Sequence, residues 1–458
     1  MEELRKIPAA VYAFVGITVS WLYLWFRQTP CIDGGNRYAN MCYTDITPLF
    51  YFRGIRDGLA PYFGADFEYP VLTGYFVQFS AWITQGLGFP MSVEVDESQI
   101  GNTAGAFFVV NSVLLLICAL ATVWAHLRLY PKRNALLLVL SPAIFTEALI
   151  NWDMLVVMLT SLALLAWAKK WPTLCGVFIG LGTAAKLYPI LLLVPLFVLC
   201  LRGHRYRACG KAIFGAGAIW LLVNAPAILW AQERWWGFFS FNAERGTDLG
   251  SLWYALTTFD ISVTDLSMLE AVIMVVGTAA ICGLLLLSPK PARLVQGFFL
   301  IMVLFLVVNK VYSPQYSLWL LPLLVLCRIN WFDWVLFSLA ELWYYMSVWS
   351  FLDATTADGA APGAAEGPYA LAIFVRIAVQ LYLAVRVIIN IAKPDTDELR
   401  LPGGFDANGG LLKAAPDDEW VVKLRTRLGF TNLGEAPAPV AVAAAAPEVA
   451  VPEAESSP

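Results

Sequence analysis

Apolar residues along this chain gather into long uninterrupted runs separated by short polar connections, the pattern of a chain threaded repeatedly through a bilayer. The runs predict helical spans at 7–26, 105–125, 134–150, 153–168, 172–185, 188–201, 211–230, 268–288, 294–308, 314–327, 331–350 and 369–391. Several of them, 172–185 and 188–201 among them, are short and interrupted by Pro or Lys. In a membrane such helices are tolerated where they are buried in protein or line a cavity. The stretch 27–104 between the first two spans is a large polar loop containing one apolar segment, 69–87, expected to dip into the membrane or lie along its surface. A thirteenth crossing there is the alternative. Beyond Lys393 the pattern stops. The reading is an all-α polytopic membrane protein of about twelve transmembrane helices, with a membrane domain at 1–392 and a first external loop at 27–104 carrying interfacial helices. An acidic, Ala/Pro-rich cytoplasmic tail at 393–458 is expected to be disordered, because it has too little apolar surface to offset its ordering entropy. Within it, 419–428 is expected to form a short helix on the inner membrane surface.

Composition sharpens this reading. Of 458 residues 59% are hydrophobic and 14% charged, against roughly 45–50% and about 25% in soluble domains, which excludes a soluble enzyme. Many of the 18 Trp fall near run ends, where an interfacial belt sits. The net charge of −4 leaves no large basic surface, so no nucleic-acid partner is expected. The first run follows Arg5 and Lys6 and lacks a small-residue cleavage site at Phe26-Arg27-Gln28, so it reads as a retained helix.

Charge then gives orientation. Basic residues collect at Arg128-Lys132-Arg133, Lys169-Lys170, Arg202 to Lys211, Lys290-Arg293, Arg328 and Lys393, in every second connection. The positive-inside rule places these connections and both termini in the cytoplasm. The remaining connections then face outward, and nearly all the chemistry-bearing residues fall on them. The first loop contributes Tyr43-Thr44-Asp45-Ile46, Arg53, Arg56, Asp57 and Asp66-Phe67-Glu68-Tyr69-Pro70. Later turns contribute Glu147 with Asn151-Trp152-Asp153, Lys186-Leu187-Tyr188-Pro189, Glu244-Arg245 with Asp248, and Asn309-Lys310 through Tyr312 to Gln315. Carboxylates suit general-base work and cations suit phosphate. Both on one side, beside lipid, fit a lipid phosphate carrying a sugar.

Each group also has a plainer reading. Asp45 caps a helix; Arg53, Arg56 and Asp57 form an interfacial ion-pair set; Lys186 snorkels from a short helix; Glu244, Arg245 and Asp248 close a structural loop; Glu68-Tyr69-Pro70 simply turns the chain. His126 and His204 fall on the cytoplasmic side, where they read as interfacial rather than catalytic. Cys31 and Cys42 share the first loop and pair as a short disulfide if it faces an oxidising compartment, or remain free thiols. No phosphate-binding Gly-rich motif for a nucleotide occurs.

The strings Tyr43-Thr44-Asp45-Ile46, Phe67-Glu68-Tyr69-Pro70-Val71-Leu72-Thr73-Gly74, Asn151-Trp152-Asp153, Ala184-Ala185-Lys186-Leu187-Tyr188-Pro189, Glu244-Arg245-Gly246, Ser251-Leu252-Trp253-Tyr254 and Asn309-Lys310 to Gln315-Tyr316 together resemble the GT-C glycosyltransferases of family 87. The group in question is the actinobacterial polyprenyl-phosphate-mannose-dependent α-mannosyltransferases, and the likeness runs over about 10–392. It implies a GT-C fold and inverting transfer of a sugar, usually mannose, from polyprenyl phosphate on the outer face of the plasma membrane, without a general need for metal or another cofactor. It implies that Asp45 is the base. Lys186, Arg245 and Lys310 are then candidates for the donor phosphate. Glu68, Tyr69, Asp153, Glu244, Tyr312 and Gln315 are candidates for sugar or acceptor. The partners implied are the polyprenyl-phosphate sugar, a lipid or glycan acceptor and membrane lipid. An arabinofuranose or glucose donor in the same enzyme class is one alternative. A transporter or flippase of the lipid-linked sugar is another, although it would be expected to show repeats and charges deep within spans.

Overall fold

A computed structural model describes residues 8–32, 36–328, 330–356 and 362–430; Arg5, Lys6 and 431–458 lie outside these. The described residues are mostly helical. Among the described residues, six helices are long and apolar enough to cross a membrane: α1 (Ala9–Gln28, extended to Cys31 by a 3₁₀ turn), α4 (Glu97–Arg128), α10 (Tyr206–Trp230), α13 (Leu266–Leu287), α16 (Trp331–Thr356) and α17 (Pro362–Ala392). Five shorter apolar stretches stand among them: α7 (Asp153–Ala168), α8 (Pro172–Ala185), Tyr188–Arg202 with α9 (Leu193–Arg202) at its end, α14 (Leu294–Val308), and Pro314–Cys327 with α15 (Ser317–Cys327). This is a multi-pass membrane protein.

The short helices are the inner ones. Nearly every residue of α7, α14 and α15 is buried, whereas α13 turns most of its surface outward. A helix apolar on all sides is stable only in a core or in lipid, and these two groups take one environment each. Between α8 and α10 the backbones touch: a Cβ on Gly176 would lie 1.9 Å from the Ala212 carbonyl oxygen, and one on Gly180 2.3 Å from that of Ala216. Small residues four apart permit this approach.

The span expected at 134–150 is two short helices, α5 (Asn134–Val139) and α6 (Pro142–Glu147). Pro142 has no N–H to continue the helix, and Ser141 before it is extended, with ψ 134°. In the first loop α2 (Ile46–Phe52) and α3 (Val71–Gly86) form, and α3 packs on α4, α8 and α10. Cys31 and Cys42 are joined as a disulfide.

The segment 393–430 departs from the expected disorder. It folds against the ends of the helices that carry the basic connections, through a small hairpin of β1 (Arg400–Leu401) and β2 (Phe405–Asp406) and a helix, labelled α18 once α11 (Gln232–Glu244) and α12 (Leu252–Thr257) are counted, at Glu419–Arg427. Asp397 accepts from Arg293 at 2.9 and 3.1 Å and from Gln296 at 3.0 Å. Asp417 accepts from Arg202 at 2.7 and 2.9 Å. Asn408 exchanges two hydrogen bonds with the Tyr130 backbone. Arg202 and Arg293 are buried, and a buried cation without a partner is severely unfavourable. The acids of this segment are those partners.

The histidines differ as well. His126 is buried inside α4, its Nε2 3.3 Å from Ser161 Oγ, rather than interfacial. His204 Nδ1 lies 2.8 Å from Asp418 Oδ2.

Candidate active site

The polar residues at the helix ends opposite that docked segment converge on Asp45. It occupies the N-cap position of α2 yet makes no side-chain capping bond, so the capping reading fails. Its backbone N–H donates to the Ile150 carbonyl at 2.6 Å, and the Thr44 hydroxyl donates to that of Leu149 at 2.7 Å. These bonds sew the first loop to the turn before α7. The carboxylate is held by two donors, Tyr43 Oη to Oδ1 at 2.7 Å and Asn151 Nδ2 to Oδ2 at 2.9 Å. Each carboxylate oxygen has two lone pairs, so one on each is left for an incoming proton. Behind Asp45 the Tyr43 ring stacks with Tyr38 and leans on Trp349, centroids 5.7 and 5.2 Å away.

Burial pushes the Asp45 carboxyl up to about 6; the bonds from Tyr43 and Asn151, and the nearby Lys186 ammonium, pull the other way, and Glu68 adds a smaller push upward. The neighbouring Tyr43 hydroxyl is raised far above its usual range, first by the Asp45 charge and then by burial. Asp45 is therefore the group that ionises near neutrality, and Tyr43 stays a donor.

Asn151 leads onward, its Nδ2 also lying 2.5 Å from the Tyr69 hydroxyl. The Tyr69 ring is one wall around Lys186: the ammonium sits 4.8 Å from its centroid, 5.5 Å from that of Tyr316 and 5.6 Å from that of Trp319. Lys186 is nearly buried and 3.4 Å from Asp153 Oδ1, so it does not snorkel. Asp153 Oδ1 also accepts from Trp319 Nε1 at 2.8 Å, while its buried Oδ2 has no hydrogen-bond partner among the described residues. A buried carboxylate oxygen left open beside a caged ammonium is suited to a hydroxyl and an anionic group arriving together.

Glu68 adjoins this chain of contacts and is paired with Arg53, whose Nε donates at 2.9 Å. Pro70, at the N-cap position of α3, turns the chain. Glu68 also borders a cleft of about 950 Å³ between the first loop and the α10–α11 corner. The other proposed cations stand apart. Arg245 is ion-paired with Asp248, and with Glu244 and Lys310 it borders a second cleft of about 540 Å³ beside the start of α13. There Lys310 donates to Ser267 Oγ at 2.7 Å. Arg245 is near enough to Tyr316 to act on its hydroxyl electrostatically.

Tyr312 is not part of the constellation. Its ring lies 3.6 Å from the buried Arg376 guanidinium and its hydroxyl accepts from Gln380 at 2.5 Å. Arg376 is paired with Glu341 at 2.7 Å and donates to the carbonyls of Tyr312, Ser313 and Pro314. The same guanidinium thus fixes the loop leading to Tyr316 from behind. Gln315 is buried on that loop, its Oε1 without a hydrogen-bond partner among the described residues. Tyr43, Asn151, Tyr316 and Trp319 enter the site with no role foreseen for them. Tyr43 and Asn151 stand two residues from Asp45 and Asp153 in the same strings, the one available signal.

Residues 101–309 match the family model described as Glycosyltransferase family 87. Asn151, Asp153, Lys186, Glu244 and Arg245 fall inside the matched stretch; Asp45, Glu68 and Tyr69 precede it. No curated protein matches this chain.

Proposed function

We propose that this chain, whose residues 101–309 match the model of glycosyltransferase family 87, transfers mannose from a polyprenyl-phosphate donor to a hydroxyl of a lipid- or glycan-linked acceptor. The family indicates a glycosyltransferase; donor, acceptor and mechanism are our reading. One observation carries it: the unbroken run of contacts from Asp45 through Asn151 and Tyr69 to Lys186 and Asp153. It sets a carboxylate poised to take a proton beside a caged cation.

In this mechanism Asp45 removes the acceptor hydroxyl proton as that oxygen attacks the anomeric carbon. The bond from that carbon to the phosphate oxygen breaks, and its electron pair leaves with the polyprenyl phosphate. Lys186 stabilises the charge growing there, and Asp153 holds a donor sugar hydroxyl. A single displacement assisted by one base inverts the anomeric centre. Arg245 and Lys310, paired with Asp248 and with Ser267 respectively in the neighbouring cleft, take no step in this mechanism.

The same reading takes the architecture as GT-C with about twelve crossings, and puts the site on the outer face of the plasma membrane with the termini in the cytoplasm. Its support is that α7 runs from Asp153 to the Lys169-Lys170 connection and α8 returns from it to Lys186, so site and basic connection lie at opposite helix ends.

The test supplies radiolabelled polyprenyl-phosphate-mannose to membranes holding wild type or Asp45→Asn at equal abundance. Label is followed into lipid, glycan and protein. Transfer by wild type and a loss of about 10²- to 10⁴-fold in the variant is the expected result. A variant as active as wild type removes Asp45 from the role. No transfer from any polyprenyl-phosphate sugar rejects the reaction.

A further inference from the structure

The larger cleft has a wall that the transfer mechanism does not use. Where α10 ends at Trp230, the chain turns through Ala231 directly into α11 (Gln232–Glu244). The corner is built from both sides. Trp235 Nε1 donates to Asn224 Oδ1 at 2.9 Å, fastening α11 back to α10. Arg234 bonds the Tyr62 carbonyl at 3.2 Å and Asp66 at 3.1 Å, fastening α11 across to the first loop. The cleft of about 950 Å³ is lined by the first loop and by this corner, with Arg234 and Asp66 on its wall.

Its lining is mixed: Phe67, Leu229 and Phe241 are apolar, while a set of ionisable side chains distinguishes it from a purely hydrocarbon groove. Five ionisable side chains border it: Arg53, Asp66 and Glu68 from the first loop, and Glu233 and Arg234 from α11. Desolvating such a set against a lipid tail is unfavourable, whereas sugar hydroxyls bond carboxylates and guanidinium groups directly. Glu233 is exposed and makes no ion pair among the described residues. Beside it Trp230, 75% exposed, presents an open ring face of the kind that stacks on a sugar. The volume is at the upper end of the roughly 300–1,000 Å³ of small-molecule sites, room for more than one sugar ring.

We infer that the α10–α11 corner is a binding cleft for a carbohydrate acceptor of two or more sugar units, with Trp230 and Glu233 contacting the unit beyond the one that reacts. The inference rests on the sugar-transfer reading for the identity of the reacting end. Its geometry agrees with that reading, since Glu68 borders the cleft and precedes Tyr69, which shares Asn151 with Asp45. The reacting hydroxyl then points inward to Asp45, and the rest of the acceptor runs outward along α11.

The experiment measures binding and transfer separately. The full chain in lipid nanodiscs is titrated, without donor, with octyl α-mannoside and its disaccharide and trisaccharide homologues. Affinity is expected to rise about tenfold from one unit to two, the effect of one further hydrogen bond to a charged group. The isosteric Glu233→Gln and the truncating Trp230→Ala are each expected to erase most of that gain. Equal affinity for one and two units overturns the inference. So does a rise in the KM for the polyprenyl donor in Trp230→Ala with acceptor affinities unchanged, because the corner then holds donor hydrocarbon. Length-dependent binding without transfer leaves the cleft standing and removes the catalytic reading instead.

Discussion

Replacing Tyr43 by Phe tests the Asp45 assignment more sharply than removing the carboxylate itself. The substitution deletes one hydroxyl, the donor 2.7 Å from Asp45 Oδ1, and keeps the ring that packs with Tyr38 and Trp349. That bond favours the ionised carboxylate, so its loss raises the Asp45 pKa from its present value of about 6. A hydrogen bond to a charged group is worth about 1.5–3 kcal/mol, and one pKa unit is about 1.4 kcal/mol. With the Asn151 donor still in place we take the lower end, a rise of about one unit. A base must be ionised to act, so the rate should climb with pH through about 6 in wild type and through about 7 in the variant. The ionised fraction at pH 7 then falls from about nine-tenths to about one-half, roughly a twofold loss of rate. At pH 6 it falls from about one-half to about one-tenth, roughly fivefold, and above about pH 8.5 the two enzymes converge. Single-turnover transfer of labelled mannose in nanodiscs, measured across about pH 5 to 9, gives both profiles. A variant that loses the same factor at every pH, or whose acid limb moves down, refutes the argument that Tyr43 acts by holding the Asp45 charge.

Two further outcomes follow from the packing. Lys186→Met should lower kcat/KM by about 10- to 150-fold, the equivalent of one charge-assisted contact of about 1.5–3 kcal/mol, and Lys186→Arg should not restore it. The reason is that a planar fork differs in shape and hydration from the ammonium caged by Tyr69, Tyr316 and Trp319; recovery by Arg would show that charge alone matters there. Asp397→Ala should destabilise the folded protein by about 3–5 kcal/mol, because it strands the buried Arg293, read as a fall in the thermal unfolding midpoint in detergent. No change in that midpoint would mean that the 394–430 segment does not hold the helix ends together.

What was legible in the sequence depended on the range of the interaction. The helices could be read because a long apolar run in lipid has few other solutions, and the run at 134–150 failed at a local feature, Pro142. Asp45 and Lys186 could be singled out as candidates because short strings at helix ends carry them. Their partnership could not, since the bond from Asn151 to Asp45 closes over 106 positions and no local pattern encodes it. Tyr312 shows the limit. Its polar string looks the same whether the ring faces a cleft or lies under a cation, and what decides is Arg376, 64 positions away.

The segment after Lys393 carries the same point into energetics. Averaged over 393–458, its composition is that of a chain with too little apolar surface to fold, and the average conceals two residues that matter. Asp397 and Asp417 meet Arg293 and Arg202, cations that the charge pattern assigns to membrane topology alone. Both arginines are buried in the folded protein, so part of what reads as a topogenic signal is half of an ion pair whose other half lies far along the chain. The basic connections and the acidic segment are then one structural unit. A charge on a short connection that meets an acid downstream should be read as a contact to be completed before it is read as an orientation signal.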